Sequence, residues 1–583
     1  MKIGKYLFIL LALAAMSCMV ACSSDDDEVE SSSSSSDSTT STDSDGNTVI
    51  NGTTILSSST AYGLVYNSST GAGIAGVPVT DGYNFTTTDD NGVYQFSAYR
   101  LARNIYITVP SEYEIPLDSS TGLPKFYSSG SISSSGFRSD FALTPLSGGA
   151  EDEFTLVMIG DPQCQSDSNV TRWTTETIPD MHNTLDGYSH IYAFTLGDIT
   201  FDNTSQWDPM AESMYNFTLS SGETLPIFNC IGNHDHDASE TTWYYAQDNF
   251  IDHFGPFDYS LNRGNVHIIV MENVYGTEST GSTWNYEAGF TDNQYKWLCA
   301  DLDLVEDKED KMVIFCAHIP FRGGGDSESS ASVNTDKYYA EVLSLLTDFN
   351  EAHIMIGHTH YTQNYLHTGY KTKNGNAIYE HVHGAACGAW WYSNVSVTGA
   401  PNGYTIYTVS GNTISEWTEH GTGLDDSYQM RVYDGDKIWG SDGKYSLNWY
   451  TASQTAGTAS ITVKGNSTLK NCFVAEVFND DDTFWSVELW QDGSKVGDFT
   501  RLANGKCTNV PLASYHFNEL GKNTSTWSST TASHYWYYKP SSKSPSSESN
   551  WEVRATQTFP SSSVTKTYTC SQFTTSYSEF GTD

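Results

Sequence analysis

Between residues 153 and 409, short apolar runs end again and again on a polar cluster: "FTLVMIGD", "IYAFTLGD", "LPIFNCIGNHD", "VHIIVMEN", "MVIFCAHIP" and "AHIMIGHTH". This constrains the fold more than any other feature. Unbroken apolar runs of this length read as strands buried on both faces, which are parallel strands covered by helices. Helical spacing appears between some of them. "DKYYAEVLSLLTDFN" sets Val342, Leu343, Leu345, Leu346 and Phe349 on one face, and "NQYKWLCADLDLVED" is a second amphipathic candidate. The region therefore predicts α/β layers.

On either side the texture changes to β. "AYGLVYNSSTGAGIAGVPVTDGYNFTTTDDNGVYQF" alternates short β-prone runs with turn signals such as Asp90-Asn91-Gly92. After residue 410, "NCFVAEVFN", "TFWSVELWQDG", "WEVRATQTF" and "TKTYTC" are separated by Gly, Asn, Asp and Ser. At 583 residues the chain is too long for one core. The division expected is a signal over 1–22, a Ser/Asp-rich linker over 23–53, a β unit over 54–148, an α/β domain over 149–410 and a second β unit over 411–583.

The first thirty residues carry Lys2 and Lys5, a short apolar core and small residues before a cysteine, as an export signal does. The sequence around "MVAC" resembles a bacterial lipobox, with Cys22 the lipidated residue and Cys18 its rival. The acidic "SSDDDEVE" that follows resembles the surface-export signal of Gram-negative outer-membrane lipoproteins. The expectation is a lipid-anchored protein of the outer membrane, facing outward, and no later stretch is apolar and long enough for a membrane-spanning helix.

Charge narrows the partners. With 28 Lys+Arg against 70 Asp+Glu, the net charge of −42 repels nucleic acid. A phosphorylated substrate needs a local positive centre, which a bound metal supplies. None of the ten cysteines forms a CxxC pair, which argues against a zinc knuckle or thioredoxin site. Cys230 and Cys316 read as small buried hydrophobes, while Cys472, Cys507 and Cys570 are candidates for a disulfide.

The polar clusters carry the chemistry. Asp161 and Gln163, Asp198, Asn233 to Asp235, His318, and His358 with His360 all follow apolar runs. Tips of neighbouring parallel strands converge at one sheet edge. Mixed carboxylate, amide and imidazole ligands suit Fe, Mn, Zn or Co.

In this order, the motifs resemble the calcineurin-like metallophosphoesterases, and the flanking units resemble the N- and C-terminal modules of a bacterial lipoprotein subfamily of that superfamily. The family pattern is D-x-H, GD, GNH[D/E], H and GHxH; Gln163 stands where the pattern has its first histidine. The resemblance implies a central four-layer α/β/β/α domain between a carboxypeptidase-regulatory-like β-sandwich and a C-terminal β-sandwich. It also implies two divalent or trivalent transition-metal ions, Fe, Mn or Zn. One is held by Asp161, Gln163, Asp198 and His360, the other by Asp198, Asn233, His318 and His358, with Asp198 shared.

The resemblance implies that the two ions would make hydroxide available for attack on phosphorus, that His234 would contact the phosphoryl group or protonate the leaving oxygen, and that Asp235 would orient His234. His236 reads as a bystander. Arg322, Trp390 and Trp391 are candidates for substrate contact, and His381 and His383 read as core residues. The implied substrate is a phosphorylated small molecule or glycan, monoester or diester. The competing reading is a surface glycan- or cell-wall-binding lipoprotein that uses the phosphatase fold as scaffold. Oligomeric state is not legible.

Overall fold

The computed structural model describes residues 39–130, 136–322, 337–439, 443–444, 462–521, 531–541 and 544–580. The export signal, Cys18 and Cys22 lie outside the described residues.

Each of the apolar runs that opened the argument is a strand. They fall into two sheets. The first has five strands in the order Ile227–Cys230, Ile191–Leu196, Glu153–Ile159, Gly403–Ser410, Thr413–Gly421. Its first three are mutually parallel, and the last two close the edge as an antiparallel pair. The second has six, in the order Tyr259–Arg263, Val266–Val270, Met312–Cys316, Glu351–Ile356, Ala377–Val382, Gln363–Lys371, with its four inner strands parallel.

The pleat sends alternate residues of the first sheet into different cores. Leu156, Met158, Phe194 and Leu196 join one continuous cluster with Ile268, Val270, Ile314 and Ile354 of the second sheet. Val157, Ile159 and Ala193 instead pack with Trp173, Met181, Trp207 and Met210 from the helices Ile178–Leu185 and Trp207–Ser213 and the turn before them. The helix Asp292–Asp303 starts on a capping box between Thr291 and Gln294 and buries Trp297, Leu298 and Leu302. The helix Tyr339–Leu346 buries Val342, Leu343 and Leu346, the face its spacing predicts, and both join the second sheet's core. Each such fully buried side chain contributes roughly 1.5–3 kcal/mol.

The N-terminal unit shares that core. Ala61, Val65, Val79, Ile105 and Ile107 belong to the same cluster, Tyr106 donates to the Asp258 carbonyl at 2.7 Å, and Thr108 bonds Ser260 at 2.9 Å. Within the segment expected as a tether, Thr40–Thr42 and Thr48–Ile50 pair as antiparallel strands, so order begins inside it.

The C-terminal unit has two four-stranded sheets. Val432, Phe473, Ala475 and Val477 of one pack on Val487, Leu489, Val553 and Ala555 of the other. The expected start of this unit at 411 is corrected: Thr413–Gly421 is paired along its length with Gly403–Ser410 in the first central sheet. A hairpin turn at Gly411 keeps the chain in the same sheet, and the local β texture does not distinguish the two destinations. Cys472, Cys507 and Cys570 are free thiols, so the disulfide expected among them is absent. Cys230 and Cys316 are buried, as expected. No helix among the described residues is long and apolar enough to cross a membrane.

Candidate active site

Because the strands carrying them are parallel, the tips after Ile159, Leu196, Cys230, Cys316 and Ile356 meet at one end of the paired sheets. Sequence alone does not show how sharply the chain turns there. Asp161, Gln163, Asp198, His358 and His360 all have left-handed backbone, with φ of 39°, 43°, 49°, 69° and 60°. Non-glycine residues adopt this region at a cost and persist there when their surroundings demand it, as functional sites do.

The glycines beside them answer to crowding. A Cβ on Gly197, whose φ is +92°, would lie 2.5 Å from the His318 ring; one on Gly232 would lie 2.3 Å from the Asp198 carboxylate. "GD" and "GNH" are thus packing requirements of the site as much as ligand motifs.

Two donor groups result. Asp198, His318 and His358 bring one ligand atom each within 4.8 Å of one another, and Asp161, Asp198 and His360 do the same. Asp198 belongs to both. Asn233 joins the first-named group, its Oδ1 lying 3.0 Å from His318 Nε2. His318 Nδ1 is 2.7 Å from the Leu196 carbonyl, which turns Nε2 toward the site. The His358 amide donates to both oxygens of Asp161, at 3.0 and 2.9 Å, and the His234 amide donates to Asp198 Oδ1 at 2.9 Å.

The electrostatics match. Burial, reinforced by the charge of His318, pushes His358 down to about 3, and burial pushes His360 down to about 4, leaving both as neutral imidazoles. Neutral imidazole is the form that ligates metal. Burial also pushes Asp161 up to about 8, with Asp198 adding to it. Against burial, His318 and His234 hold the Asp198 carboxyl well below the usual carboxylate range. Burial would lower His318, but Asp198 overrides it and raises it to about 9.

Gln163 sits at the edge of the group formed by Asp161, Asp198 and His360. Its amide nitrogen is set 3.1 Å from Asp198 Oδ2, and its oxygen is 4.0 Å from the Cys387 sulfur. Cys387 is fully buried and 3.9 Å from His360 Nδ1. Nothing in the sequence pattern marks it, because it arrives from the loop after the second sheet's Ala377–Val382 strand.

His234 belongs to neither group. Its Nδ1 pairs with Asp202 Oδ2 at 2.9 Å, and its ring packs against Phe201 at 4.3 Å. The assignment of Asp235 as its orienting carboxylate is therefore corrected. Asp235 Oδ1 accepts from the Thr200 amide at 2.9 Å and Oδ2 from the Gly232 amide at 2.8 Å, so it ties the two loops together. The spacing "GDITFD" held the signal for Asp202, which stands four residues after Asp198. His236 is more than a bystander to the loop: it is buried, bonded to Glu272 at 2.8 Å and stacked on Trp243 at 3.7 Å.

The substrate candidates separate. Trp390 lies beside His360, ring centres 4.9 Å apart. Trp391 is a brace and not a wall, being buried and donating from Nε1 to the Pro162 carbonyl at 2.8 Å. Arg322 is 3% exposed, its guanidinium 5.0 Å over the Tyr365 ring, and does not line the pocket beside His234. His381 and His383 are buried core residues, as expected. Tyr286, 37% exposed, meets the His358 ring edge-on at 6.2 Å, and no motif in the chain points to it.

The C-terminal unit holds the loop that carries Trp390. His516 bonds Ser393 at 3.1 Å, and Asn509 donates to the Thr398 carbonyl at 3.1 Å. Tyr379 donates to Asp481 at 2.6 Å behind it.

Three family models match the chain. The N terminal of calcineurin-like phosphoesterase matches residues 60–146, calcineurin-like phosphoesterase matches 154–362, and the C terminal of calcineurin-like phosphoesterase matches 380–562. No curated protein matches. Among solved structures, a purple acid phosphatase from yellow lupin (Lupinus luteus) seeds matches at 15% identity and a TM-score of 0.32, covering 47% of this chain and 52% of that one. The chain thus spans about half the length of that structure.

Proposed function

Because this chain belongs to the calcineurin-like phosphoesterases, with that family's N- and C-terminal modules on either side, we propose that it hydrolyses phosphomonoesters or phosphodiesters at a two-metal centre. The observation that carries the reading is the pair of buried donor groups sharing Asp198. The donors fit transition-metal ions. Two neutral imidazoles are offered by His358 and His360, and Asp161 and Asp198 are buried carboxyls with no Lys or Arg partner among the described residues. That set of nitrogen and oxygen donors suits Fe, Mn or Zn.

Asp161, Gln163, Asp198 and His360 would hold one ion, and Asp198, Asn233, His318 and His358 the other. Bound there, the ions would neutralise phosphoryl charge and bring a water's pKa toward neutrality. The remaining work belongs to the chain. His234, raised above its ordinary pKa by Asp198 and Asp202 although burial opposes them, is held as a proton donor toward the leaving oxygen. Asp202 fixes which ring nitrogen faces the substrate. Trp390 and Tyr286 flank the donor groups, beside His360 and His358.

The same reading includes an α/β/β/α stack for the central domain, supported by the separate cores on the two faces of the first sheet. It takes the flanking units as β-sandwiches. It also includes lipidation at Cys22 and display on the cell surface, supported by the sequence of the first thirty residues.

The test is metal analysis with turnover of p-nitrophenyl phosphate and bis(p-nitrophenyl) phosphate before and after chelation. Metal-dependent hydrolysis of either ester is expected. Bound metal without turnover of either would favour the scaffold reading.

A further inference from the structure

His234 also lines a cavity of about 180 Å³, to which none of the grouped Asp and His donors contributes. Thr200, Asp202, Thr204, Trp207, Ser239 and Ser282 are among its lining residues. Its position against the proton donor makes it the seat of the leaving alcohol, an assignment that rests on the hydrolase reading above. Its chemistry is one-sided. No Lys or Arg lines it, while Asp202, Asp235 and Asp237 do.

We propose that this pocket selects an uncharged polyhydroxylated leaving group, a sugar or polyol, and rejects alcohols that carry a second phosphate or a carboxylate. The rejection follows from like charge. A second anionic group would sit beside three carboxylates with no Lys or Arg in the lining to pair with.

The same negative charge would attract an organic cation; what sets a polyol apart from a quaternary ammonium is that only the polyol brings O–H donors to the acceptors of this lining. Asp235 spends both oxygens on backbone amides. Asp237 accepts from the Ser239 amide and hydroxyl at 2.8 and 2.7 Å on Oδ1, and from Asn249 at 3.4 Å on Oδ2. Asp202 gives Oδ2 to His234, and its buried Oδ1 has no hydrogen-bond partner. Asp202 Oδ1 is thus an acceptor that an O–H would satisfy. The hydroxyl of Thr204 can give or take a further hydrogen bond, and that of Ser239, whose O–H goes to Asp237, can accept one. An organic cation would call for a cage of aromatic faces, whereas Trp207, 2% exposed, is the single Trp, Tyr or Phe in the lining.

The test compares kcat/KM on metal-loaded enzyme for glycerol 1-phosphate, glucose 6-phosphate, phosphocholine and fructose 1,6-bisphosphate, with p-nitrophenyl phosphate as reference. The first two should exceed phosphocholine by about ten-fold and the bisphosphate by about 100-fold. A bisphosphate or phosphocholine turned over as well as the polyol esters would overturn the proposal while leaving the hydrolase reading intact.

Thr204→Lys places a cation at the rim and should raise the ratio of bisphosphate to glucose 6-phosphate turnover by about ten-fold; an unchanged ratio would count against it. A second readout needs no turnover. In saturation-transfer NMR on the full chain, glucose and glycerol should contact the protein and choline should not. If p-nitrophenyl phosphate and its diester are both inert, the hydrolase reading fails, and this binding result still decides the pocket. Choline contact, or no sugar contact, overturns it.

Discussion

The two donor groups that share Asp198 are built differently. Around His318 everything is drawn in: Nδ1 is anchored on the Leu196 carbonyl, and Asn233 Oδ1 and His358 Nδ1 lie 3.0 and 3.2 Å from Nε2. Around His360 the set is looser. Its Nε2 is 3.7 Å from Asp161 Oδ1, a cysteine sulfur lies near its other nitrogen, and Gln163 turns its amide nitrogen toward Asp198. The tight group has its ligands on four strand tips with a backbone anchor; the loose one depends on an amide that can rotate. One site is set by the fold and the other is adjustable, and each prediction below tests that contrast.

The largest effect belongs to the residue that both groups need. Asp198→Asn should lower kcat by several orders of magnitude and leave less than a full complement of metal in both groups, because one neutral oxygen replaces a shared carboxylate. Metal per protein and steady-state kinetics check it. If only one ion is lost, Asp198 does not bridge.

His234 belongs to neither group, so it separates chemistry from binding. His234→Ala should keep both ions and cost about 10²–10⁴-fold in kcat, the scale of a lost acid-base residue. Asp202→Asn should cost less and flatten the pH profile, since the ring stays but its orientation and charge do not. Loss of metal in His234→Ala would put the ring back among the ligands.

The groups should also differ in how protons compete with metal. In the metal-free protein, His318 holds its proton up to about pH 9 and Asp161 up to about pH 8. Both protons must leave when metal binds, so affinity should rise by about ten-fold per pH unit per proton displaced. From pH 6 the loose group's affinity should level off near 8, and the tight group's should continue rising toward 9. Calorimetric titration across this range checks the ordering; two identical plateaus would show that the groups titrate as one unit.

How much of this the chain announces is uneven. The strands and the two amphipathic helices are legible because burial on both faces leaves apolar runs that nothing else produces. Asp161, Asp198, Asn233, His318, His358 and His360 are legible because parallel strands bring their tips to one edge.

What sequence spacing does not carry is the direction of a side chain after a sharp turn. Asp235 is adjacent to His234, yet it faces Thr200 and Gly232, while Asp202, on another strand tip, meets the histidine. Trp390 and Trp391 are neighbours with φ of 53° and 59°, and they part company: one lies by His360, the other under Pro162. Thr413–Gly421 continues a sheet whose other strands lie far back in the chain, so its local β texture says nothing about which unit it joins.

The smallest effect is the most discriminating, because it acts on the loose group alone. Gln163 has two possible roles. As a ligand, its oxygen must turn from Cys387 toward the ion, and Gln163→Ala should weaken only the ion held by Asp161, Asp198 and His360, by about 10–100-fold on the scale of supporting interactions. As a positioning residue, it acts through the hydrogen bond from its amide nitrogen to Asp198 Oδ2, and Gln163→Ala should loosen both ions to a similar, smaller degree. Gln163→His adds a nitrogen donor and should shift preference in the loose group toward Zn. Gln163→Glu separates the roles further, since it offers an oxygen but no N–H: it should restore metal if Gln163 is a ligand and repel Asp198 if it is a brace. Occupancy of each ion in the three variants decides between them. Equal occupancy of both ions in Gln163→Ala and the wild type would mean that the amide serves neither, and the contrast between a fixed and an adjustable group would then have to rest on His360 and Cys387.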